Sequence, residues 1–158
     1  MHKLACPKCH KPIIQINNSY KCENNHCYDI SKRGYINLLL NPDKATNNPG
    51  DSKESLVARK AYLNKGYYDP ILNQVITCID EFKHQDDLSI LDLGCGEGYY
   101  TQGLKKHFEN SDIYGLDISK IAIDMATRYR KDVTWLVGNS KNIPILDHSL
   151  DFICALFT

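Results

Sequence analysis

The stretch LSILDLGCGEGYYT, from Leu88 to Thr101, decides the fold. Its first part, Ser89 to Leu93, is short, apolar and bounded by polar residues, which is typical of a buried parallel strand. Three alternating glycines follow, and Tyr99 to Phe108 then has the pattern of a helix. A strand, a glycine turn and a helix in this order predict an open α/β sheet that binds a nucleotide-like ligand at its strand ends.

The spacing of the glycines narrows the ligand class. The pattern is Gly94-x-Gly96-x-Gly98, and Asp92 precedes it on the strand. Dinucleotide-binding turns follow G-x-G-x-x-G, and P-loops carry a Lys-Ser/Thr pair that is absent here. The pattern resembles motif I of the S-adenosylmethionine-dependent methyltransferases. That cofactor has a cationic sulfonium and an amino-acid tail, which a carboxylate such as that of Asp92 tolerates or attracts.

A second acidic residue follows the next predicted strand, Asp112 to Leu116. Asp117 stands at its end, where an acid accepts hydrogen bonds from ribose hydroxyls. It lies 19 residues beyond Gly98, close to the usual interval of about 20. Asp117 can also cap the following helix, predicted at Ile121 to Arg130, as Ser119 equally can.

Two further strands are predicted. Val133 to Val137 is the third, and Asn139 and Ser140 follow it, where an amide or hydroxyl can read an adenine edge. Leu150 to Leu156 is the fourth, and it would leave an apolar edge that invites aggregation. Four strands with their helices make about half of a doubly wound sheet. We therefore expect the 158-residue chain to be a fragment or an early-terminated product with little or no catalysis alone.

Two helices are predicted ahead of the central strand. Asn41 to Gly50 is rich in Asn and Pro and is predicted to be a linker. Asp51 or Ser52 then caps a helix that runs to about Lys65. A second helix begins at Asp69-Pro70, and its apolar residues recur at helical spacing, so we expect them all in the core. They are Ile71, Leu72, Val75, Ile76, Ile79 and Phe82.

A metal site is predicted near the N-terminus, where four of the seven cysteines fall in the first 27 residues. A C-x2-C pair is followed, after twelve residues, by C-x3-H. Four ligands of this kind at this spacing suit tetrahedral zinc. They are Cys6, Cys9, Cys22 and His26. Spacing favours His26 as the fourth ligand, Cys27 is its rival, and His10 is a weaker alternative.

The segment around these ligands is predicted to form a small ribbon. Strands at Ile13 to Ile16 and Ser19 to Lys21 bring the two ligand pairs together. So short a segment cannot build a sufficient core, so the metal supplies the folding free energy. We expect the apolar stretch from Tyr35 to Leu40 to close this module.

Charge and hydropathy indicate partner and compartment. Lys plus Arg and Asp plus Glu are both 19, but residues 1–40 hold six basic and two acidic side chains. A basic front end suggests an anionic partner there, although random surface charge remains an alternative.

No signal-peptide h-region and no membrane-spanning apolar run are present. We therefore expect a cytoplasmic protein without a membrane partner, in which clustered cysteines bind metal rather than form disulfides.

Together these features resemble the RlmA/RrmA family of 23S rRNA guanine-N1-methyltransferases, which includes the tylosin-resistance branch. Its members have a zinc-binding N-terminal module and a Rossmann-like methyltransferase domain, and they methylate ring nitrogen one of a guanine in a 23S rRNA hairpin. The resemblance covers essentially the whole chain. It is carried by the zinc quartet and by Lys32 to Leu39, Pro49 to Ser52, Ala58 to Leu63, Gly66 to Tyr68 and Leu91 to Thr101.

The resemblance implies an α/β fold with a zinc ribbon over residues 1–40, a linker and helices over 41–86, and the first half of a class I methyltransferase sheet over 87–158. It implies zinc at the quartet and S-adenosylmethionine at the glycine turn. The cofactor-binding residues predicted from the motifs and the resemblance are Tyr68, Asp92, Gly94, Gly96, Glu97, Gly98, Tyr99, Asp117, Asn139 and Ser140. No residue is assigned as a catalytic base.

The expected partner is a 23S rRNA hairpin, and a homodimer with paired zinc modules is a reasonable assembly. The basic side chains of the ribbon are candidates to grip RNA, unless the ribbon is only a structural cap. They are Lys3, Lys8, Lys11, Lys21, Lys32 and Arg33. Two other functions stay open: a small-molecule methyltransferase, and a non-catalytic chain that binds cofactor or RNA.

Overall fold

The computed structural model describes residues 3–40 and 50–157. Over these two ranges the chain is a mixed α/β structure with two sheets. The predicted linker, Asn41 to Gly50, lies outside the described residues except for Gly50. Among the helices of the described ranges, none has the length and apolar character that crossing a bilayer requires.

The small sheet is an antiparallel ribbon near the N-terminus. Its strands are β1 (Ile13–Ile16), β2 (Ser19–Cys22) and β3 (Cys27–Asp29). β1 and β2 form a hairpin over a tight turn at Asn17 and Asn18, and Asn17 takes the positive φ (55°) that asparagine tolerates. The first two strands lie where the sequence predicts them, and β3 is an additional strand paired with β2.

In the part of the chain that the structure describes, the large sheet has five parallel strands in the order β4-β7-β6-β5-β8. Their bounds are Ile36–Asn37 (β4), Ser89–Leu93 (β5), Asp112–Asp117 (β6), Thr134–Val137 (β7) and Phe152–Ala155 (β8). Because all five run the same way, the carboxyl ends of β5, β6 and β7 meet at one edge, which is where this class of sheet binds ligands. The predicted Rossmann-like sheet is confirmed.

β4 does more than the sequence predicts for the stretch from Tyr35 to Leu40. The stretch contacts the ribbon through a bridge between Ile30 and Ile36, and Ile36 and Asn37 also pair in parallel with the end of β7. Tyr35 and Leu39 pack on one side of the large sheet, and Ile36 and Leu38 pack on the other. Such two-sided burial is typical of a parallel strand. The predicted ribbon segment 1–40 thus ends with a strand that belongs to the larger sheet.

Within residues 3–40 and 50–157, four α-helices accompany the large sheet. They are α1 (Lys53–Leu63), α2 (Asp69–Phe82), α3 (Tyr99–His107) and α4 (Lys120–Ala126). Ser52 caps α1 by accepting a hydrogen bond from Ser55 N at 3.2 Å, and Ser119 caps α4 by accepting one from Ala122 N at 3.2 Å. α4 ends at Ala126 rather than at the predicted Arg130, since the chain turns there into β7.

The two faces of the large sheet are covered by different structures. Helices α2, α3 and α4 pack on one face, where Ile90 and Trp135 are fully buried. The zinc ribbon packs on the opposite face, where Leu91 and Leu136 join the side chains of Ile13 and other ribbon residues in one apolar cluster. The ribbon is therefore fixed to the sheet by burial of apolar area, which stabilises both parts.

The apolar face of α2 is less buried than the sequence predicts. Ile79 is 3% exposed, but Ile71 is 36% exposed and Phe82 is 69% exposed. The inner side of α2 packs on α3, whereas its outer side borders a groove along β8, the edge strand of the described sheet. No described element covers that side, so the prediction is wrong for Ile71 and Phe82, whereas Ile79 is in the core and Val75 and Ile76 pack against it.

Candidate metal centre and cofactor site

The predicted zinc ligands converge at one end of the ribbon. The ligand atoms of the four residues Cys6, Cys9, Cys22 and His26 all lie within 4.8 Å of one another. His26 Nδ1 lies 3.4 Å from both Cys6 Sγ and Cys22 Sγ, and Cys9 Sγ lies 3.8 Å from Cys22 Sγ. Tetrahedral zinc with ordinary bond lengths requires about 3.8 Å between two sulfurs and about 3.6 Å between sulfur and nitrogen. The donor set therefore fits zinc.

Two short turns present these ligands. Cys6 N donates to Lys11 O and His10 N donates to Cys6 O, both at 2.8 Å, which curls the first pair. In the second pair, Cys22 N donates to His26 O at 3.1 Å. Cys27 and His10 are exposed and stand outside the group of four found among the described residues. His26 is thus the fourth ligand that the geometry favours.

The thiol of Cys9 is prepared for metal binding. A hydrogen bond from the Lys11 backbone lowers the pKa of Cys9 to about 6, although some desolvation opposes this shift. Burial instead raises the pKa of Cys6, whose sulfur lies 3.0 Å from the hydroxyl of the buried Tyr28. Zinc binds thiolates, so a site that already favours one deprotonated sulfur loses less free energy to deprotonation when zinc binds.

The glycine turn after β5 is anchored to the neighbouring strand β6. Gly94 N and Cys95 N both donate to Leu116 O, at 2.8 and 3.1 Å. Gly96 N donates to Asp117 Oδ2 at 2.9 Å, and Ser119 N donates to Asp117 Oδ1 at 2.7 Å. The carboxylate of Asp117 thus ties the turn to the start of α4. Each of its oxygens keeps a lone pair for a further donor.

Two adjoining cavities open above this turn, at the carboxyl ends of β5, β6 and β7. The larger has a volume of about 600 Å³ and the smaller about 270 Å³. Arg59, Gly94, Gly96 and Phe157 line both. Gly96 has a φ of +56°, and a Cβ there would meet only Arg59 Nη1, 4.0 Å away among the described atoms. The turn therefore leaves its backbone open to a ligand.

Most of the predicted cofactor residues line these cavities. Those around the smaller cavity are Tyr68, Gly94, Gly96, Glu97 and Tyr99. Those around the larger cavity are Gly94, Gly96, Asp117, Asn139 and Ser140. The larger cavity thus brings together Asp117, Asn139 and Ser140, which are expected near the ribose and the adenine, and the smaller one brings together Tyr68, Glu97 and Tyr99. Their individual roles remain predictions.

Asp92 lines neither cavity. Its side chain is 2% exposed and accepts a hydrogen bond from Thr101 Oγ1 at 2.5 Å, so it points from β5 into the start of α3. Burial raises the pKa of Asp92 to about 6, and the nearby charges of Asp117 and Glu97 add to this rise. Direct contact with the cofactor, as predicted for Asp92, is not what this geometry shows. Asp92 is instead buried behind the turn, where it is hydrogen-bonded to Thr101.

Gly98 also lies away from both cavities. Its φ is +85°, and a Cβ there would stand 2.6 Å from Trp135 Cη2. Gly98 directly precedes α3. Because it has no side chain, the start of α3 can pack directly against the indole of Trp135 on β7. Its role in this structure is close packing behind the turn rather than contact with a ligand.

Glu97 is a buried acid that faces the smaller cavity. It is 3% exposed, and its Oε1 atom has no hydrogen-bond partner among the described residues. Burial raises the pKa of Glu97, and the positive charges of Arg59 and Lys60 partly oppose that shift. The hydroxyl of Tyr100 is likewise buried without a described partner. Such groups are rare in native proteins and call for a ligand or water.

Sequence reasoning missed Arg59 and Ser119 as site residues. Arg59 lies on α1, which crosses over the glycine turn, and it lines both cavities. Its segment belongs to the stretches that carry the family resemblance, but the sequence alone gives no sign that α1 lies over the turn. Ser119 was considered only as a cap, and it lines the larger cavity as well.

Comparison with known proteins agrees with this geometry in both parts of the chain. Residues 4–46 match the family described as "RlmA, N-terminal", a zinc ribbon, and residues 90–158 match a methyltransferase domain family. A 23S rRNA (guanine(748)-N(1))-methyltransferase of Streptomyces fradiae is 31% identical over 126 residues, which are 79% of this chain and 44% of that protein. The chain belongs to the RlmA/RrmA family. Its expected cofactors, S-adenosylmethionine and zinc, are confirmed with it.

A second RlmA/RrmA relative covers nearly the whole chain. A candidate 23S rRNA (guanine-N(1)-)-methyltransferase of Bacillus subtilis is 29% identical over 160 aligned positions, which are 97% of this chain and 55% of that protein. The chain thus spans about half the length of the curated relatives it matches. Among solved structures, a candidate S-adenosyl-L-methionine-dependent methyltransferase of Methanococcus maripaludis superimposes with a TM-score of 0.58 at 22% identity, over 72% of this chain and 54% of that one. That likeness shows the fold.

Proposed function

We propose that this chain takes part in S-adenosylmethionine-dependent methylation of a guanine, at ring nitrogen one, in a hairpin of 23S rRNA. The observation that supports the proposal is one packed unit in which a four-ligand zinc ribbon covers a methyltransferase sheet. The Bacillus subtilis relative aligns over 97% of the chain and therefore over both parts. A small-molecule methyltransferase has no evident use for the ribbon.

The residues around the two cavities have distinct tasks in this proposal. Asp117 accepts hydrogen bonds from the ribose, and Asn139 and Ser140 lie next to the adenine. Tyr68 and Tyr99 wall the smaller cavity and exclude water from the reacting groups. The hydroxyl of Tyr99 donates to the carboxylate of Asp69, which fixes the ring at the start of α2 and α3.

Positioning supplies much of the catalysis. When bound, S-adenosylmethionine supplies a methyl group on a sulfonium, with a neutral leaving group. The walls of the two cavities would hold the cofactor so that its methyl group and the guanine nitrogen meet within one site, which would make the reaction effectively intramolecular. The nitrogen of neutral guanine carries a proton that must leave before or during attack. A base paired in a duplex must also be extruded, at a cost of about a few kcal/mol.

The basic side chains of the ribbon divide into two groups. Lys3 donates to Ser89 and pairs with Asp112 at 3.4 Å, so it helps to fasten the ribbon to the sheet. Lys11 and Arg33 also have acidic partners. Those that are exposed, with no ion pair in the described ranges, are Lys8, Lys21 and Lys32. These three are the side chains we propose for RNA phosphates, and a homodimer would double their number.

Reverse transcription of 23S rRNA tests the proposed function. A methyl group at ring nitrogen one blocks the pairing edge of guanine, so primer extension stops there. We expect a stop in a 23S hairpin of the source organism that disappears when the gene for this chain is deleted and returns when the gene is restored. Unchanged stops after deletion would overturn the proposal, and methyl label in a small molecule would favour the alternative enzyme class.

A further inference from the structure

The smaller cavity has an unusual charge pattern. Among the described residues that line it, Arg59 is the one cation and Glu97 is the one anion. The rest of its lining is apolar, aromatic or glycine backbone. A pocket with one charge of each sign in apolar surroundings complements a zwitterion, since each isolated charge is costly to bury without a partner.

Arg59 is placed to reach a ligand on the glycine turn. It projects from α1 over Gly96, with Nη1 4.0 Å from the position of a Cβ on that residue. Its side chain keeps 49% of its surface exposed, and its described ion-pair partner is Asp51 at 3.3 Å. An exposed pair of this kind contributes little by itself. The guanidinium therefore has donors left for a planar anion, which it binds best through two parallel hydrogen bonds.

Glu97 provides the second, independent observation. Its carboxylate is nearly buried, and Oε1 lacks a hydrogen-bond partner in the described structure. An acceptor in this state points to a donor that the ligand brings. An ammonium group is a charged donor that a buried carboxylate binds strongly.

We propose that Arg59 binds the α-carboxylate of the amino-acid tail of S-adenosylmethionine, while Glu97 on the far side of the tail faces its α-ammonium group. This assignment rests on the proposed function, because it names how that same cofactor site recognises its ligand. Arg59 is a binding residue that orients the donor, and it has no part in the methyl transfer itself. Asp51 holds the guanidinium near this position before the ligand arrives.

A pair of ligands that differ only in the carboxylate tests the proposal. Titration calorimetry on the zinc-loaded chain compares S-adenosylmethionine with decarboxylated S-adenosylmethionine, for the wild type and for Arg59→Gln. We expect Arg59→Gln to weaken binding of the first compound about 10- to 100-fold and to leave binding of the second within about twofold. Arg59→Lys keeps the positive charge but loses the planar pair of N–H donors. Its affinity for S-adenosylmethionine should therefore lie between those of the wild type and Arg59→Gln.

Arg128→Gln is the matched control. Arg128 is 50% exposed and has one acidic partner, Asp124 at 3.0 Å, but it lies beyond α4 and lines neither cavity. We expect this variant to bind both compounds like the wild type. Equal weakening of the two compounds in Arg59→Gln would overturn the proposal, because it would show that Arg59 only holds α1 in place. If the wild-type chain bound neither compound, the proposed function itself would fail.

Discussion

Replacement of Asp92 by asparagine should remove a loss of stability that the wild type undergoes as the pH rises from 5 to 8. Asp92 is fully buried behind the glycine turn, and burial raises its pKa from an ordinary value of 3.8 to about 6. The folded state therefore holds the proton more tightly than the unfolded state does. The asparagine of the Asp92→Asn variant would be neutral at every pH, and its side-chain oxygen could still accept the hydrogen bond from Thr101.

The magnitude follows from the pKa shift of Asp92. Its stabilising effect is complete below about pH 4 and is lost as the pH rises through about 6, because the buried carboxylate must then ionise. A rise of about two pKa units corresponds to a loss of about 3 kcal/mol in the free energy of unfolding at high pH. Of this, about 1 kcal/mol is lost between pH 5 and pH 8.

Urea unfolding of both proteins at pH 5, 6, 7 and 8, in buffer with zinc and without cofactor, measures this loss. Protonation of the zinc ligands affects wild type and Asp92→Asn alike, so the difference between the two isolates Asp92. We expect the stability of the variant relative to the wild type to rise by about 1 kcal/mol from pH 5 to pH 8. Asp87→Asn, at an exposed aspartate just before β5, should show no such trend. A difference that stays constant or shrinks with rising pH would refute the reasoning.

Two further predictions concern the metal centre and the close packing behind the turn. Elemental analysis should find about one zinc per chain in the wild type and in Cys27→Ser, and none in a Cys6→Ser/Cys9→Ser variant; loss of zinc in Cys27→Ser would contradict the assignment of His26. Gly98→Ala should cost about 2–5 kcal/mol of stability in urea unfolding, because it adds a steric clash with Trp135 to the penalty for positive φ. Gly34→Ala has a similar φ of +95° but no described atom within 4 Å, so it should cost only about 1–2 kcal/mol. Equal costs for the two variants would show that the contact with Trp135 does not matter.

Local patterns were enough to predict the two halves of the molecule. The spacing of the ligands predicted the zinc site, because three cysteines and a histidine at these intervals in a short segment are typical of tetrahedral zinc. The order of strand, glycine turn and helix placed the cofactor cavities, since parallel strands bring their carboxyl ends together. Ser52 and Ser119 both cap the helices predicted for them.

Long-range packing could not be predicted from those patterns. Nothing in the segment from Tyr35 to Leu40 distinguishes the end of a ribbon from a strand of the larger sheet. The motif places Asp92 beside the glycines in sequence, but the pleat of β5 turns its side chain towards Thr101. Arg59 is about 37 residues away from Gly96 in sequence, and only the position of α1 brings them together.

The central claim is that the glycine turn binds the methyl donor, and calorimetry with S-adenosylhomocysteine tests it most directly. We predict saturable binding of about one molecule per zinc-loaded chain. Gly96→Val should abolish it, because the new side chain fills the open space above the turn, whereas Gly34→Val, on the far edge of the sheet, should bind like the wild type. Absence of heat with the wild type, or equal binding by Gly96→Val, would contradict the account.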